Sequence, residues 1–517
     1  MKSDLELGKI ALNEGNNEKA LKLFKKVLLH NKNPKIYFNL GVAQYRCGLK
    51  KEAKETYLKL IKDNALLYDA FTYLGEMSLQ EKQIQESIEY FQKSIDIKPT
   101  IHAYKQMGFA LLENWLDLER AIKCFQYIEE NSSNPEEIAV AKSNIGNAFN
   151  KLERPNEAIP YFIDALKLHP KYPICFYNLA TSYNKLKQYD SAIKYFQESL
   201  KIEDYPYSHI DLGMIYFLLG DYKTGSTHYE WRFKVPGGET CFDIPNIIPK
   251  NLEDLKGKAF LFYSEQGLGD SIQFIRYAKL LKEKYEVGRL IVVTQPPLVS
   301  LFRNTKYIDE CCAFGEQHTK YYYRCVSMSL PHYFGIVPTE MPYLTVQDSK
   351  IQSWKEKLSN ISGKKIGIYW RGNPRPEVAG CSFTDRKRSI NLSQLEPLFS
   401  IPGISWISLQ KDHYDNEIEN YPNIINFMGE VTDFQDTGAL IKNLDLIIGV
   451  DSSVAHLASG LNVPTWILSR WDGCWRWGET GEHTHWYSSL KIYRQSEKFN
   501  WSPIIETLTN DLDNFMK

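Results

Sequence analysis

At 517 residues the chain is too long for one compact core and should divide into roughly two to four domains. The 62 Lys and Arg against 63 Asp and Glu leave a formal charge of −1, which argues against a general nucleic-acid or membrane-surface binder. The opening MKSDLELGKI lacks the apolar core of a secretory leader, and no apolar run reaches the length of a membrane span. Nine scattered cysteines form no Cys-x-x-Cys pair. The expectation is a cytoplasmic protein with reduced thiols and neither a disulfide framework nor a zinc site.

In chain order the first elements are repeats. Gly8, Gly41, Gly75, Gly108 and Gly146 recur at spacings of about 34, and Ala180 and Gly213 continue the series. A second small residue follows each marker at a fixed distance: Ala20, Ala53, Ser87, Ala121, Ala158, Ala192 and Gly225. Ala121 comes one position late, so the fourth repeat carries an insertion. Four residues further on stands an aromatic: Phe24, Tyr57, Phe91, Phe125, Phe162, Phe196 and Tyr229. Pro99 and Pro170 close two of the units. A helix hairpin accounts for all three positions. The small residues let the second helix approach the first, and the aromatic fills the groove between them. One hairpin cannot bury its own apolar face, so seven of them should stack into a solenoid over residues 1–233. The pattern resembles the tetratricopeptide (TPR) family.

After Tyr229 the repeat stops. The stretch 234–256 contains Pro and Gly and reads as a linker. From about Gly257 apolar strands alternate with helical segments. Strands are predicted at Ala259–Glu265 and Arg289–Thr294 and, in a second series, at Lys364–Trp370, Ile404–Gln410, Leu444–Val450 and Pro464–Ser469. This alternation predicts parallel α/β sheets. Two series imply two Rossmann-like lobes, 257–345 and 364–517, with an interlobe linker at 346–363 and a ligand cleft between the lobes.

Several strand ends carry polar motifs. EQGLGDSIQFIRY (Glu265–Tyr277) runs from a strand into a helix; Gly267 and Gly269 would allow a tight turn and close ligand approach, while Asp270 sits at the helix start as a cap or a functional carboxylate. GVDSSVAHLASGLNVPTWIL (Gly449–Leu468) repeats that context. Ser452 and Ser453 place hydroxyls and N–H groups at a helix N-terminus, which suits a diphosphate. Asp451 and His456 lie close enough in sequence to reach one cleft edge, or else serve as a cap and a packed helix residue. Arg371 in YWRGNP could neutralise a phosphate, and Gln410 and Lys411 in SLQKD stand where a base or phosphate would lie. Asp433 and Asp436 could meet a ribose, or be solvated loop carboxylates.

The order of these motifs, together with YEWR, SLPHYFG (Ser329–Gly335), PYL and the tail WRWGETGEHTHWYSSLKIYRQ, resembles glycosyltransferase family 9, the heptosyltransferases. Within it the pattern resembles a bacterial TPR-fused branch, similar at the level of fold to O-GlcNAc transferases. The resemblance implies an α-solenoid followed by a GT-B glycosyltransferase, with the acceptor on the first lobe and a nucleotide-sugar donor on the second. It implies Asp270 as the general base and Ser452, Ser453 and His456 as the donor-diphosphate loop, with Arg371 near a basic position. It also implies a peptide-gripping asparagine ladder on the concave solenoid face. Asn39, Asn144 and Asn178 stand at that position here, where other repeats carry Glu6, Tyr73, Gln106 and Asp211. The expected acceptor is a protein, by analogy flagellin or another surface protein.

No cofactor or metal is expected. The one Asp-x-Asp, Asp511 to Asp513, reads as a solvated helix face, and His483 and His485 do not share a helical face. The alternative reading is a TPR interaction scaffold whose GT-B domain is inactive.

Overall fold

The computed structural model describes residues 3–235, 246–373, 379–411 and 417–517, with the backbone alone for 379–381. Pro374 and Asp412 of two motifs, and much of the expected linker, lie outside the described residues. The chain divides into two compact units, Met1–Tyr205 and Pro206–Lys517.

The first unit consists of six helical hairpins, from Asp4–Asn13 with Asn17–Leu28 to Pro173–Lys185 with Tyr189–Ile202. Short polar side chains start many of these helices. Ser3 and Glu6 form a reciprocal capping box, Asn16 and Asp117 cap later helices, and Pro34, Pro135 and Pro173 occupy first turns, where a missing N–H costs nothing. The glycine–aromatic spacing is the packing rule of the unit. A Cβ on Gly41, Gly75 or Gly146 would lie 2.8, 2.6 or 2.7 Å from the ring of Tyr57, Phe91 or Phe162. Those rings are fully buried, each stabilising its hairpin by roughly 1.5–3 kcal/mol through removal from water. The fourth repeat keeps the arrangement despite its extra residue, because Phe125 still faces Gly108 at 2.9 Å.

The division into compact units falls at 205, before the solenoid end expected at 233, so the seventh hairpin is grouped with the second unit. This hairpin, Pro206–Leu218 with Tyr222–Tyr229, packs differently. Both of its small positions are glycine, and a Cβ on Gly213 would lie 2.8 Å from the carbonyl oxygen of Gly225. The helices therefore meet backbone to backbone. Tyr229 and Phe217 join the core of the second unit, with the Phe217 ring 4.8 Å from that of Trp475.

Two parallel sheets follow. The first has order β3-β2-β1-β4, from β1 (Ala259–Tyr263), β2 (Arg289–Thr294), β3 (Glu310–Ala313) and β4 (Tyr323–Val326). The second contains β5 (Lys364–Tyr369), β6 (Ile404–Ser408), β7 (Ile424–Asn426), β8 (Leu446–Val450), β9 (Thr465–Ser469) and β10 (Leu490–Arg494), in the order β10-β9-β8-β5-β6-β7. Their central strands are apolar without alternation, as strands covered on both faces must be. The interlobe segment expected as a linker contains a helix, Asp348–Lys357. Ile351, Trp354 and Leu358 share one of its faces; Trp354 is buried and meets Phe427 edge-on at 5.6 Å. The seven described free cysteines are Cys47, Cys124, Cys175, Cys311, Cys312, Cys325 and Cys474.

Candidate functional site

In the second sheet the chain runs outward from β5 through β6 to β7, then returns to β8 and runs outward on the other side through β9 to β10. Adjacent strands β5 and β8 thus send their connections in opposite directions, which opens a crevice beyond their C-terminal ends. A Cβ on Gly449 would lie 2.4 Å from the carbonyl oxygen of Tyr369, so glycine is what lets the two strands close there. Beyond this point lies a cavity of about 340 Å³. Its walls come from the ends of four strands: Tyr369 to Asn373 after β5, Leu409 to Lys411 after β6, residues of 428–437 after β7, and Ser452 to Val454 after β8. Leu268 and Pro297 close it from the first sheet's lobe.

Arg371, Gln410, Lys411, Ser452 and Ser453, all singled out from the sequence, line this one cavity. Their local roles are more specific than expected. Ser452 caps the helix Ser453–Gly460 by accepting from the Val454 N–H at 3.3 Å. Gln410 accepts from the N–H groups of Trp370 (3.2 Å) and Arg371 (3.0 Å), fixing the loop after β5. Lys411 donates to the carbonyls of Met428 (3.1 Å) and Val431. Arg371 donates to Asn391 (2.9 Å) and pairs with Glu417 at 3.2 Å, so its charge is balanced within the chain. Arg388 ties the site together, donating to the Asp451 carbonyl at 3.1 Å while pairing with Asp385. Asp433 lines the cavity and caps the helix Phe434–Ile441, whereas Asp436 pairs with Lys350.

His456 corrects the expectation that it reaches the cleft edge. It is 4% exposed, its Nδ1 lies 2.7 Å from the Tyr487 hydroxyl, and its ring stacks on Trp477 at 5.2 Å. Burial, reinforced by nearby Arg476, pushes its pKa down to about 3. A neutral imidazole behind the cavity wall cannot supply charge to a diphosphate. Gly267 and Gly269 are also reassigned. Gly267 has an ordinary negative φ, and the left-handed residue of that turn is Gln266 at φ 64°. The absence of a side chain at Gly269 permits lobe packing, since a Cβ there would lie 2.8 Å from His456 Cδ2.

Asp270 stands at the corresponding crevice of the first sheet, after β1 and beside the end of β4. One of its oxygens accepts from the Gly267 N–H at 2.9 Å, completing a capping arrangement, and the other is held by Arg476. Arg476 carried no assigned role in the sequence; only its WRWGE motif marked it. Glu265, the other acid of the motif, is held in a bidentate pair with Arg232 of YEWR at 2.8 and 3.1 Å, and it accepts from the Met328 N–H at 2.8 Å. Arg232 also reaches Ser329 of SLPHYFG at 2.7 Å and Glu230 at 2.8 Å. Three motifs that are far apart in sequence thus form one buried ion-pair cluster. At the C-terminal end, Asp511 is not simply solvated: it accepts from Lys491 (2.6 Å) and Tyr493 (2.8 Å).

In the first unit Asn39, Asn144 and Asn178 are half-buried on the first helices of their hairpins. Asn144 donates to the Val140 carbonyl of its own helix at 2.9 Å. Asn144 and Asn178 lie on neighbouring hairpins and Asn39 three hairpins earlier, so the ladder is interrupted.

Tetratricopeptide repeat family models match residues 5–64, 68–101 and 137–204. The first unit carries tetratricopeptide repeats. Between the second and third of these ranges, residues 102–136 span most of the repeat with the insertion. The chain is similar to Protein FlbA of Caulobacter vibrioides, 24% identical over 351 residues that cover 60% of this chain and 56% of that protein. The chain therefore spans just over half the length of this curated relative. That matched share of the chain is longer than the first unit, so the likeness extends into the second. Among solved structures, the C-terminal part of a TPR repeat-containing protein from Cytophaga hutchinsonii is 17% identical, covering 46% of this chain and 97% of that one at a TM-score of 0.37. A tetratricopeptide repeat protein from Parabacteroides merdae is 13% identical, covering 46% and 93% at 0.38. Among the described residues no helix is long and apolar enough to cross a membrane.

Proposed function

We propose that the chain is a cytoplasmic glycosyltransferase of the GT-B type. It moves a sugar from a nucleotide-sugar donor to the hydroxyl of a protein, such as flagellin or another surface protein, captured by the repeats. One observation carries this reading: the residues chosen from three separate strand ends meet in a nucleotide-sized cavity at a switch point, with a helix N-terminus at its wall. In this reading the donor diphosphate lies against the N–H groups that open the helix Ser453–Gly460, with Ser452 and Ser453 supplying hydroxyls. Asp270 accepts the acceptor's proton while the anomeric carbon passes through an oxocarbenium-like state, giving a single inverting displacement. The helix terminus supports the leaving group, so the reading needs no metal.

Calorimetry against UDP, GDP, ADP and CMP tests the donor site. One of them should bind to the intact chain, and bulky replacements of Ser452 and Ser453 should abolish binding; unchanged affinity would falsify the assignment. Asp270→Asn should lose turnover and keep nucleotide affinity. Removing residues 1–205 should leave donor binding intact and stop modification of the protein acceptor.

A second reading, a repeat scaffold with an inactive transferase fold, draws on the internal partners of Arg371, Lys411 and Asp270. A chain that binds none of the four nucleotides while capturing a protein through its repeats would favour it.

A further inference from the structure

Asp270, Gln273 and Arg276 follow one another at intervals of three, and all three side chains turn towards the segment between β9 and β10. Arg476 from that segment holds the Asp270 carboxylate through Nη2, and its Nε donates to Gln273 Oε1 at 2.5 Å. Its Nη1 lies 3.0 Å from Cys474 Sγ, and the guanidinium sits 4.3 Å from the centre of the Trp475 ring. Arg276 donates to the Trp486 carbonyl at 2.9 Å, anchoring the same segment one turn further on. Arg476 is 9% exposed. Burial works against its charge, and Asp270 leads the groups that more than restore it.

We infer that Arg476 is a positioning residue for Asp270, an inference that rests on the transferase reading above. The carboxylate is gripped at both oxygens, by the Gly267 N–H and by Arg476, so it has one orientation. A carboxylate accepts about four hydrogen bonds, which leaves lone pairs for an incoming hydroxyl. In the reaction the acceptor oxygen bonds to the anomeric carbon and its proton passes to Asp270. The bond from that carbon to the diphosphate breaks, and its electron pair leaves with the phosphate. Protonation removes the charge that Arg476 balances at the moment negative charge grows on the leaving group. A Cβ on Gly269, next to Asp270, would lie 3.6 Å from Ser453 Cα, so the helix that carries the base starts against the helix start that receives that group.

Three variants of the intact chain test this. Arg476→Met should lower kcat by about 100-fold or more while the nucleoside diphosphate Kd stays within about threefold. Arg476→Lys should recover part of the loss, and Gln273→Leu, which removes the Nε contact and keeps the ion pair, should cost about 10-fold. Crystal structures of Arg476→Lys and Gln273→Leu should show the Asp270 carboxylate turned from its present rotamer. Wild-type turnover in both, with Asp270 unmoved, overturns the inference even if Asp270→Asn is dead. If Asp270→Asn retains full turnover, Asp270 is a helix cap and not the base, while the transferase reading stands; the two crystal structures then decide alone whether Arg476 orients Asp270.

Discussion

The two units bury polar groups in different ways. Among the described residues the repeats bury only uncharged polar side chains: Thr72 pairs with Ser94 at 2.7 Å within one hairpin, and Ser182 with Asn150 at 2.9 Å across two. The second unit buries Arg232, Glu265, Arg276, Arg324, Asp385 and Arg476. A hydroxyl needs one neighbour, which its own or the adjoining hairpin supplies. A buried charge needs an opposite charge or several polar partners, and here distant segments of chain deliver the pairs Arg232–Glu265 and Arg476–Asp270. Stability in the repeats is thus a sum of nearest-neighbour terms, while in the second unit it depends on a few long-range pairs.

The largest break in this contrast is expected at Arg232. Replacing it with Met leaves Glu265 buried and unpaired, which should cost the second unit about 3–5 kcal/mol. Converting both residues to Met should cost less than either single change. Tryptophan fluorescence in a denaturant titration checks this, because Trp115 is the one tryptophan in the first unit, and the other ten follow residue 205. In the repeats, Gly146→Val forces side-chain atoms into the Phe162 ring and should cost about 1–3 kcal/mol. Hydrogen exchange should locate that loss in the hairpin Pro135–Lys151 with Pro155–Leu168 and its neighbours.

The repeat unit was legible in sequence because its determinants are local: a small residue and an aromatic sixteen positions later meet in one hairpin. The seventh hairpin also forms where the spacing put it, but its packing was not legible. Gly213 and Tyr229 keep the period, but Gly225 lets the helices meet at the backbone and the tyrosine packs elsewhere. Six of the ten described strands were readable too, so Ser452, Ser453, Gln410 and Arg371 could be assigned to one crevice; β3, β4, β7 and β10 were missed, three of them only three or four residues long. What joins the residues of the site was not readable. Arg476 lies 206 residues from Asp270, and Glu265 lies 33 from Arg232 across a change of architecture. Periodicity carries no information on such pairs. His456 failed for a related reason: its position four residues into a helix was visible, but the face that Trp477 and Tyr487 cover was not.

Acid should separate the units next. His456 has its pKa lowered to about 3, against 6.5 for an ordinary histidine. The unfolded chain takes the proton first, so stability present above pH 6.5 is lost as the pH falls towards 3. At pH 5 this amounts to about 2 kcal/mol, and His456→Phe should flatten the dependence. His102 in the first unit has the opposite sign: its hydrogen bond to Glu76 raises its pKa, so its contribution is present below 6.5 and fades at higher pH. Melting curves of the intact chain from pH 5 to 8 should show the tryptophan-reported transition sensitised to acid. A tryptophan transition independent of pH over that range would remove His456 as a buried neutral group.

The smallest effect on stability, and the sharpest on partner binding, is expected at the asparagines. Each is half-buried on a helix surface, so replacement with Ala should change stability by less than about 0.5 kcal/mol. An extended peptide needs amide donors and acceptors at successive steps, and Asn144 and Asn178 on adjacent hairpins can supply two such steps. Asn39, three hairpins away, cannot continue the row without intervening partners, and the intervening positions carry Tyr73 and Gln106. Asn144→Ala with Asn178→Ala should therefore weaken acceptor capture in a pull-down, with nucleotide binding unchanged, while Asn39→Ala alone should capture as well as the wild type. If Asn39→Ala is as damaging as the pair, Tyr73 and Gln106 must belong to the same surface, and the row is a mixed polar groove rather than an asparagine ladder. If all three changes together leave capture intact, the repeats hold their partner elsewhere.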